Sequence, residues 1–163
     1  MSNMIKFRGK NKDGEWFKGS LVDCGDFLSI LPVEVLQNTP IDLVGAEIVR
    51  HSVSAEAIGQ YIGRCDKDGN EIYVGDILRN DEYPLSDGDV KDNYFAVAEW
   101  CSDESSFGLE IRKNPKSKVM GLSNGSPCTL ESWEPSQWEI VGNVYDTPEL
   151  VGKDWVDESF WED

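Results

Sequence analysis

Apolar positions in this chain recur mostly at short, alternating spacing, and Gly or Pro interrupts almost every stretch long enough for an amphipathic helix. A period of two sends side chains to opposite faces of a strand, so the pattern predicts sheets built from hairpins. "MIKFRGKNKDGEWFKGSLV" reads as a strand, an Asp13-Gly14 turn and a second strand carrying Trp16, Phe17 and Leu21. "DCGDFLSILPVEVL" adds another glycine-marked turn and an apolar strand, stopped at Pro32 or by the following "QNTP". Further along, "YFAVAEW", the polar turn "CSDESS" and "FGLEIR" predict a second hairpin, and "WEIVGNVY" a last strand from Trp138 to Tyr145, broken at Gly142-Asn143. The best helical turn is "YDTPEL", where Asp146 or Thr147 can cap, Pro148 suits the first helical position and Glu149 favours the positive end of the helix dipole. Strands in this number, joined by short turns, favour a barrel or packed sheets that hide their edges.

Composition narrows the picture. A chain of 163 residues that is 39% hydrophobic can bury one sizeable core or two small ones, which excludes global disorder. Its 31 acidic and 15 basic residues give a formal net charge of -16, a field that repels DNA, RNA and anionic membrane surfaces and attracts basic proteins. No amino-terminal apolar run suggests a signal peptide and no window approaches a membrane span, so a cytoplasmic location is expected. Cys24, Cys65, Cys101 and Cys128 are scattered singly, as suits free thiols in a reducing compartment rather than a zinc site.

The best-patterned stretch is "CDKDGNEIYVGDILRN", whose alternating acids and glycine have the look of a calcium loop. A loop of that kind needs oxygen ligands at positions one, three and five, glycine at six and a bidentate Glu at twelve. Counting from Asp66, the first three are met by Asp66, Asp68 and Asn70, but the glycine comes early at Gly69 and position twelve is Ile77. The stretch therefore reads as a tight Asp68-Gly69 turn, a strand from Glu71 to Val74, a second turn at Gly75-Asp76 and a resumed strand from Ile77. No metal or cofactor is expected.

With its flanks, "IGQYIGRCDKDGNEIYVGDILR" resembles the hallmark segment of the YopX family of phage and prophage proteins. The opening "IKFRGKNKDGEWFKGSLV" and the later "WEIVGNVYDTPELV" are similar to two further family segments, in the same order along the chain. The residues that carry the resemblance are Gly59, Gln60, Gly63, Asp68, Gly69, Ile72, Tyr73, Gly75, Asp76, Ile77, Gly142, Asn143, Tyr145 and Pro148. Val74 stands where the family often has Glu, and Arg64-Cys65 where Leu-Lys is usual. The resemblance implies a mainly β protein with coiled sheets, little helix and a small SH3-like barrel in the later part of the chain, and it carries over no catalytic residue. The expected organisation is an amino-terminal hairpin subdomain over 1–50, the barrel over 51–146, and a helical turn with an acidic aromatic tail over 147–163.

Three features bear on function. The loop "NDEYPLSDGDVKDN" gathers Asp87, Asp89 and neighbouring acids into a solvated or recognition surface. The tail "GKDWVDESFWED" sets Trp155, Phe160 and Trp161 among acids, a pattern suited to docking on a partner, on the body or on a second subunit. His51, the sole histidine, stands in "VRHSVSA" without a nucleophile elbow, which favours a surface or interface position over catalysis. The expectation is a cytoplasmic phage-type accessory protein of a bacterial host that binds a protein, a basic one being favoured by charge, and self-associates. Direct nucleic-acid and membrane binding, and catalysis, are not expected. The competing classes are an acidic mimic of DNA that occupies a host nucleic-acid-binding protein, and an enzyme with an unrecognised site.

Overall fold

A computed structural model of the chain describes residues 5–80, 94–113, 127–129 and 137–151. The protein is mainly β, with a curled antiparallel sheet and a second antiparallel sheet. It divides into two compact units, Met1–Gly63 and Arg64–Asp163.

In the first unit the strands are β1 (Phe7–Lys10), β2 (Trp16–Asp23), β3 (Leu28–Leu31), β4 (Ser52–Val53) and β5 (Ile58–Cys65), the last running past the division. Their order is β4-β3-β2-β1-β5, every described pairing antiparallel. The β1–β2 turn forms as its residues dictate. Asn11 Oδ1 accepts the amides of Asp13 and Glu15 at 3.0 and 2.8 Å, and Gly14 takes a φ of 88°. Curling brings β1 against β3 and β4: a Cβ on Gly9 would stand 3.0 Å from side-chain atoms of both Ile30 and Val53. Gly19 permits a closer approach, since a Cβ there would lie 2.0 Å from the carbonyl oxygen of Leu31. Ile30, Leu31, Tyr61, Ile62 and Ala57 form the buried apolar set. Residues 51–63 pair in this unit, with Leu28 opposite Val53 and Arg8 opposite Gly59.

Two short helices depart from the strand pattern: α1 (Val33–Asn38) and α2 (Val44–Arg50), joined through a 3-10 turn at Ile41–Leu43. The apolar run expected to end as a strand turns helical immediately after Pro32, whose missing amide is harmless at a helix start. At the far end of α2 the last carbonyls are met from outside the helix. Ser29 Oγ donates to Ile48 O at 2.8 Å, with His51 O at 3.1 Å as a second acceptor, and the Ile30 amide also reaches His51 O. His51 is buried, where the sequence favoured a surface or interface position. Its Nδ1 donates to the Glu47 carbonyl at 2.8 Å, and its ring packs on Phe17 with centroids 4.7 Å apart. It serves as the cap of α2.

The second unit contains β6 (Glu71–Tyr73), β7 (Asp76–Asn80), β8 (Tyr94–Cys101), β9 (Ser106–Lys113), β10 (Pro127–Thr129) and β11 (Glu139–Asn143). Its five-stranded sheet has the order β10-β9-β8-β7-β11. The last strand, β11, pairs with β7 at the edge opposite β10. Ile72, Tyr73, Ile77, Leu78, Ala96, Val97, Ala98, Leu109 and Trp138 are buried. At about 25 cal/mol per Å² of apolar area removed from water, such side chains dominate the stabilisation of the unit. Cys24, Cys65 and Cys101 are free thiols, and among the described residues no helix is long and apolar enough to cross a membrane.

Candidate functional site

Asp66 is only 4% exposed, and its carboxylate is committed to main-chain amides. Oδ1 accepts from Asp68 N at 3.0 Å and Asn70 N at 2.8 Å, closing the turn in which Gly69 takes a φ of 84°. Oδ2 accepts from Ile140 N on β11 at 3.1 Å, and the Lys67 amide donates to Trp138 O at 2.9 Å. The turn thus occupies an amide of β11 and the carbonyl just before it. An exposed strand edge is a template for aggregation, and an acid-marked turn laid along it removes that template. Burial pushes the Asp66 carboxyl up, but the amides of Ile140, Asn70 and Asp68 and the Asn70 side chain outweigh it and hold the group below its ordinary value. The acids that look like calcium ligands in sequence do different work: one is a buried acceptor, and Asp68 lies exposed on the turn. Among the described residues no three His, Cys, Asp or Glu side chains gather in a metal-binding group.

The remaining motif residues form a second knot in the same unit. The Tyr73 amide donates to Asp76 Oδ2 at 2.8 Å across the β6–β7 turn, where Gly75 adopts a φ of 94°. Gly75 N donates to Ala98 O on β8 at 2.8 Å, and its carbonyl accepts from Val144 N at 2.9 Å. The Tyr145 ring lies over its Cα, so that a Cβ there would meet Tyr145 Cε2 at 2.9 Å. Beyond β11, Asn143 Oδ1 accepts from the amides of Tyr145 and Asp146, while Thr147 Oγ1 bonds the Asn143 amide and carbonyl, both at 3.1 Å. Gly142 makes room for that hydroxyl, since a Cβ would come within 2.0 Å of it. Pro148 then opens a 3-10 turn, Pro148–Leu150. Thr147 precedes it but spends its hydroxyl on Asn143 rather than as a cap. Asp68, Gly69, Ile72, Tyr73, Gly75, Asp76, Ile77, Gly142, Asn143, Tyr145 and Pro148 are therefore placed by the turns and strands of one unit, whereas Gly59, Gln60 and Gly63 lie on β5. The candidate partner residues Trp155, Phe160, Trp161, Asp87 and Asp89 lie outside the described residues.

The chemistry that the sequence pattern did not single out sits on the β8–β9 hairpin. Val97 faces Glu110 and Glu99 faces Gly108 in register, which puts both glutamates on one face, next to Arg112. The Arg112 guanidinium bonds Glu99 and lies 3.0 Å from Glu110. Burial, then a hydrogen bond and repulsion from Glu99, push the Glu110 carboxyl up to about 7 against the pull of Arg112. Burial and the acids Glu104, Glu99, Glu110 and Asp103 push the Cys101 thiol up. The signal for this cluster was present in the strand alternation 97, 99, 101 and 108, 110, 112. It required the hairpin register to be read as a shared face.

A raised carboxyl has a definite pH consequence. The folded protein holds the proton on Glu110 up to about 7, whereas an unfolded Glu releases it near 4.5, so protons favour the fold between these values. Stability from this group is fully present below about 4.5 and is lost as pH rises through about 7. The unfolding free energy, and with it the thermal midpoint, is expected to fall across that window, the free energy by on the order of 1–2 kcal/mol shared between two coupled carboxylates. Glu110→Gln, followed by thermal unfolding at several pH values, should flatten the slope. An unchanged slope would remove Glu110 as its source.

The far end of the same hairpin carries an aromatic pair of which one member is exposed. Trp100, 52% exposed, stands opposite Phe107 with ring centroids 5.0 Å apart at 76°, an edge-on pair. The turn beside it, Ser102–Ser105, places Ser105 at a φ of 50°.

These features define a class: a mainly β protein of antiparallel hairpins whose glycine- and acid-marked turns are devices of the fold. The sequence model of the family described as YopX protein matches residues 6–152, nearly the whole chain. The chain belongs to the YopX family. No curated protein matches it.

Proposed function

We propose that this protein is a cytoplasmic phage or prophage accessory protein that acts by binding another protein, without catalysis and without a cofactor. The observation that carries the reading is Trp100, a half-exposed indole packed edge-on against Phe107 on the β8–β9 hairpin. Large aromatics in a fixed orientation lose little entropy on docking and supply most of the energy of binding hot spots. The fate of the reactive residue types supports the same reading. The sole histidine caps α2, and Asp66 and Asp76 hold turns together.

The test is capture from a bacterial lysate with tagged protein and a Trp100→Ala variant, at low and at high salt. A protein retained at high salt by the parent and lost by a variant of unchanged thermal stability is the expected result. Identical capture by both would sink the Trp100 reading. The net charge of -16 favours one second reading, an acidic mimic of DNA. In that case the captured protein binds nucleic acid, leaves at high salt and is displaced by added DNA.

A further inference from the structure

The helical segment of the first unit is apolar and uncovered. No residue of α1, of the 3-10 turn that follows it or of α2 is buried. In α2, Val44 and Ile48 stand one turn apart and are half-buried, and the helix contacts β3 and the 3-10 turn. Other apolar side chains of the segment face water. Val33, Leu43 and Val49 are each more than half exposed, Leu36 is exposed one turn from Val33 on α1, and Ile41 is 93% exposed. Single apolar side chains are ordinary on a surface, whereas five concentrated between positions 33 and 49 are of the kind that marks an interaction site. Helices this short are marginal by themselves and gain stability by covering an apolar face.

Charge selects the occupant. Between Val33 and Arg50 the chain carries the acids Glu34, Asp42 and Glu47 and a single base, Arg50. Arg50 is 3.6 Å from Glu47, so the cation of the segment is neutralised within α2. Glu34 and Asp42 are both exposed and form no ion pair among the described residues. Glu34 falls between Val33 and Leu36, and Asp42 between Ile41 and Leu43, so acids are interleaved with the exposed apolar positions. A complementary occupant brings apolar side chains interleaved with cations. Two other occupants carry the wrong charge. A second copy sets one net charge of -16 against another, and the chain's own "DWVDESFWED" holds five acids and no base.

We propose that the helical segment 33–50 docks an amphipathic basic segment of another protein, whose apolar side chains cover Leu36, Ile41 and Leu43 and whose cations meet Glu34 and Asp42. The proposal rests on the reading of this protein as a binding module, but on a surface of the first unit, whereas Trp100 belongs to the second.

The test is fluorescence anisotropy of the full-length protein with a labelled amphipathic peptide of leucine and lysine, about 15 residues long, beside a leucine and glutamate peptide of the same pattern. The leucine-lysine peptide is expected to bind, and roughly tenfold more weakly to Leu36→Ser/Ile41→Ser and to Glu34→Lys/Asp42→Lys. Ile41→Ser alone changes an almost fully exposed side chain, so it should weaken binding at an unchanged thermal midpoint. In the complex the amides of residues 33–50 should exchange more slowly, and Trp100→Ala should leave the affinity for this peptide unchanged. Absence of binding overturns the proposal, and so does equal affinity for the parent and all three variants, which marks attraction to net charge alone. Binding lost in Trp100→Ala but kept in Ile41→Ser also overturns it, while leaving the Trp100 reading intact. Tighter binding of the leucine-glutamate peptide or of synthetic peptide 152–163 does the same, as does self-association in sedimentation that Ile41→Ser abolishes, which assigns the patch to a second copy.

Discussion

Asp66→Ala should lower the stability of the second unit by roughly 3 kcal/mol, because hydrogen bonds to a buried carboxylate are worth about 1.5–3 kcal/mol and their loss strands the donors. Three main-chain amides depend on this one side chain, two in the turn itself and the third, of Ile140, on β11. For a protein of this size a loss of that order lowers the thermal midpoint by about 6–12 °C. Asp66→Asn separates the two roles of the carboxylate. An amide retains one oxygen for the turn but cannot accept at both positions, so an NH2 meets either the turn amides or the Ile140 amide. Hydrogen exchange reads the difference directly. The Ile140 amide should exchange slowly in the parent and markedly faster in Asp66→Asn, and equal protection in both would show that the edge is held by something else. The acid limb follows from the depressed pKa: stability from Asp66 is present above the unfolded value of 3.8 and is lost as pH falls through the lower folded value. Asp66 and Glu110 therefore tilt the profile in opposite senses, Asp66 at the acid end and Glu110 toward neutrality, and together they place the optimum on the mildly acidic side.

Gly75→Ala is the second large effect. A left-handed φ of 94° costs a residue with a Cβ about 1–2 kcal/mol, and the new atom would lie 2.9 Å from the Tyr145 ring. The backbone cannot retreat, since the amide and carbonyl of Gly75 are bonded to Ala98 and Val144. A destabilisation of roughly 2–4 kcal/mol is expected, measured by chemical denaturation, with the slope against denaturant unchanged. The steric part is separable. Tyr145→Leu clears the ring edge, so Gly75→Ala should cost less in the Tyr145→Leu background than in the parent, and strict additivity would assign the whole effect to backbone strain.

Much of the fold is legible from local pattern. The alternation in "YFAVAEW" and "FGLEIR" becomes β8 and β9, and Asp13-Gly14 and Asp68-Gly69 become turns, while the turn read at Gly75-Asp76 falls one residue earlier, at Val74-Gly75, with Asp76 opening β7. These succeed because a strand's facing and a turn's φ are properties of a few consecutive residues. The helices α1 and α2 escape the same reading: six and seven residues are too few to establish a helical period, and each depends on its surroundings. The burial of His51 is likewise not written locally, since it follows from the packing of Phe17 and the end of α2.

The sequence by itself determined that this protein is mainly β, strongly acidic and of the YopX type, because hydrophobic alternation, residue counts and ordered motifs are written in one dimension. It also determined that the acidic turn lacks the closing ligand of a calcium loop. Only the tertiary structure decided what those acids do instead. Asp66 reaches Ile140 across 74 positions, Gly75 joins β8 to the end of β11, and Glu99, Glu110 and Arg112 share a face through strand register. Each of these depends on which distant amide, ring or charge the folded chain brings within a few ångströms, and burial then fixes the strength of the contact.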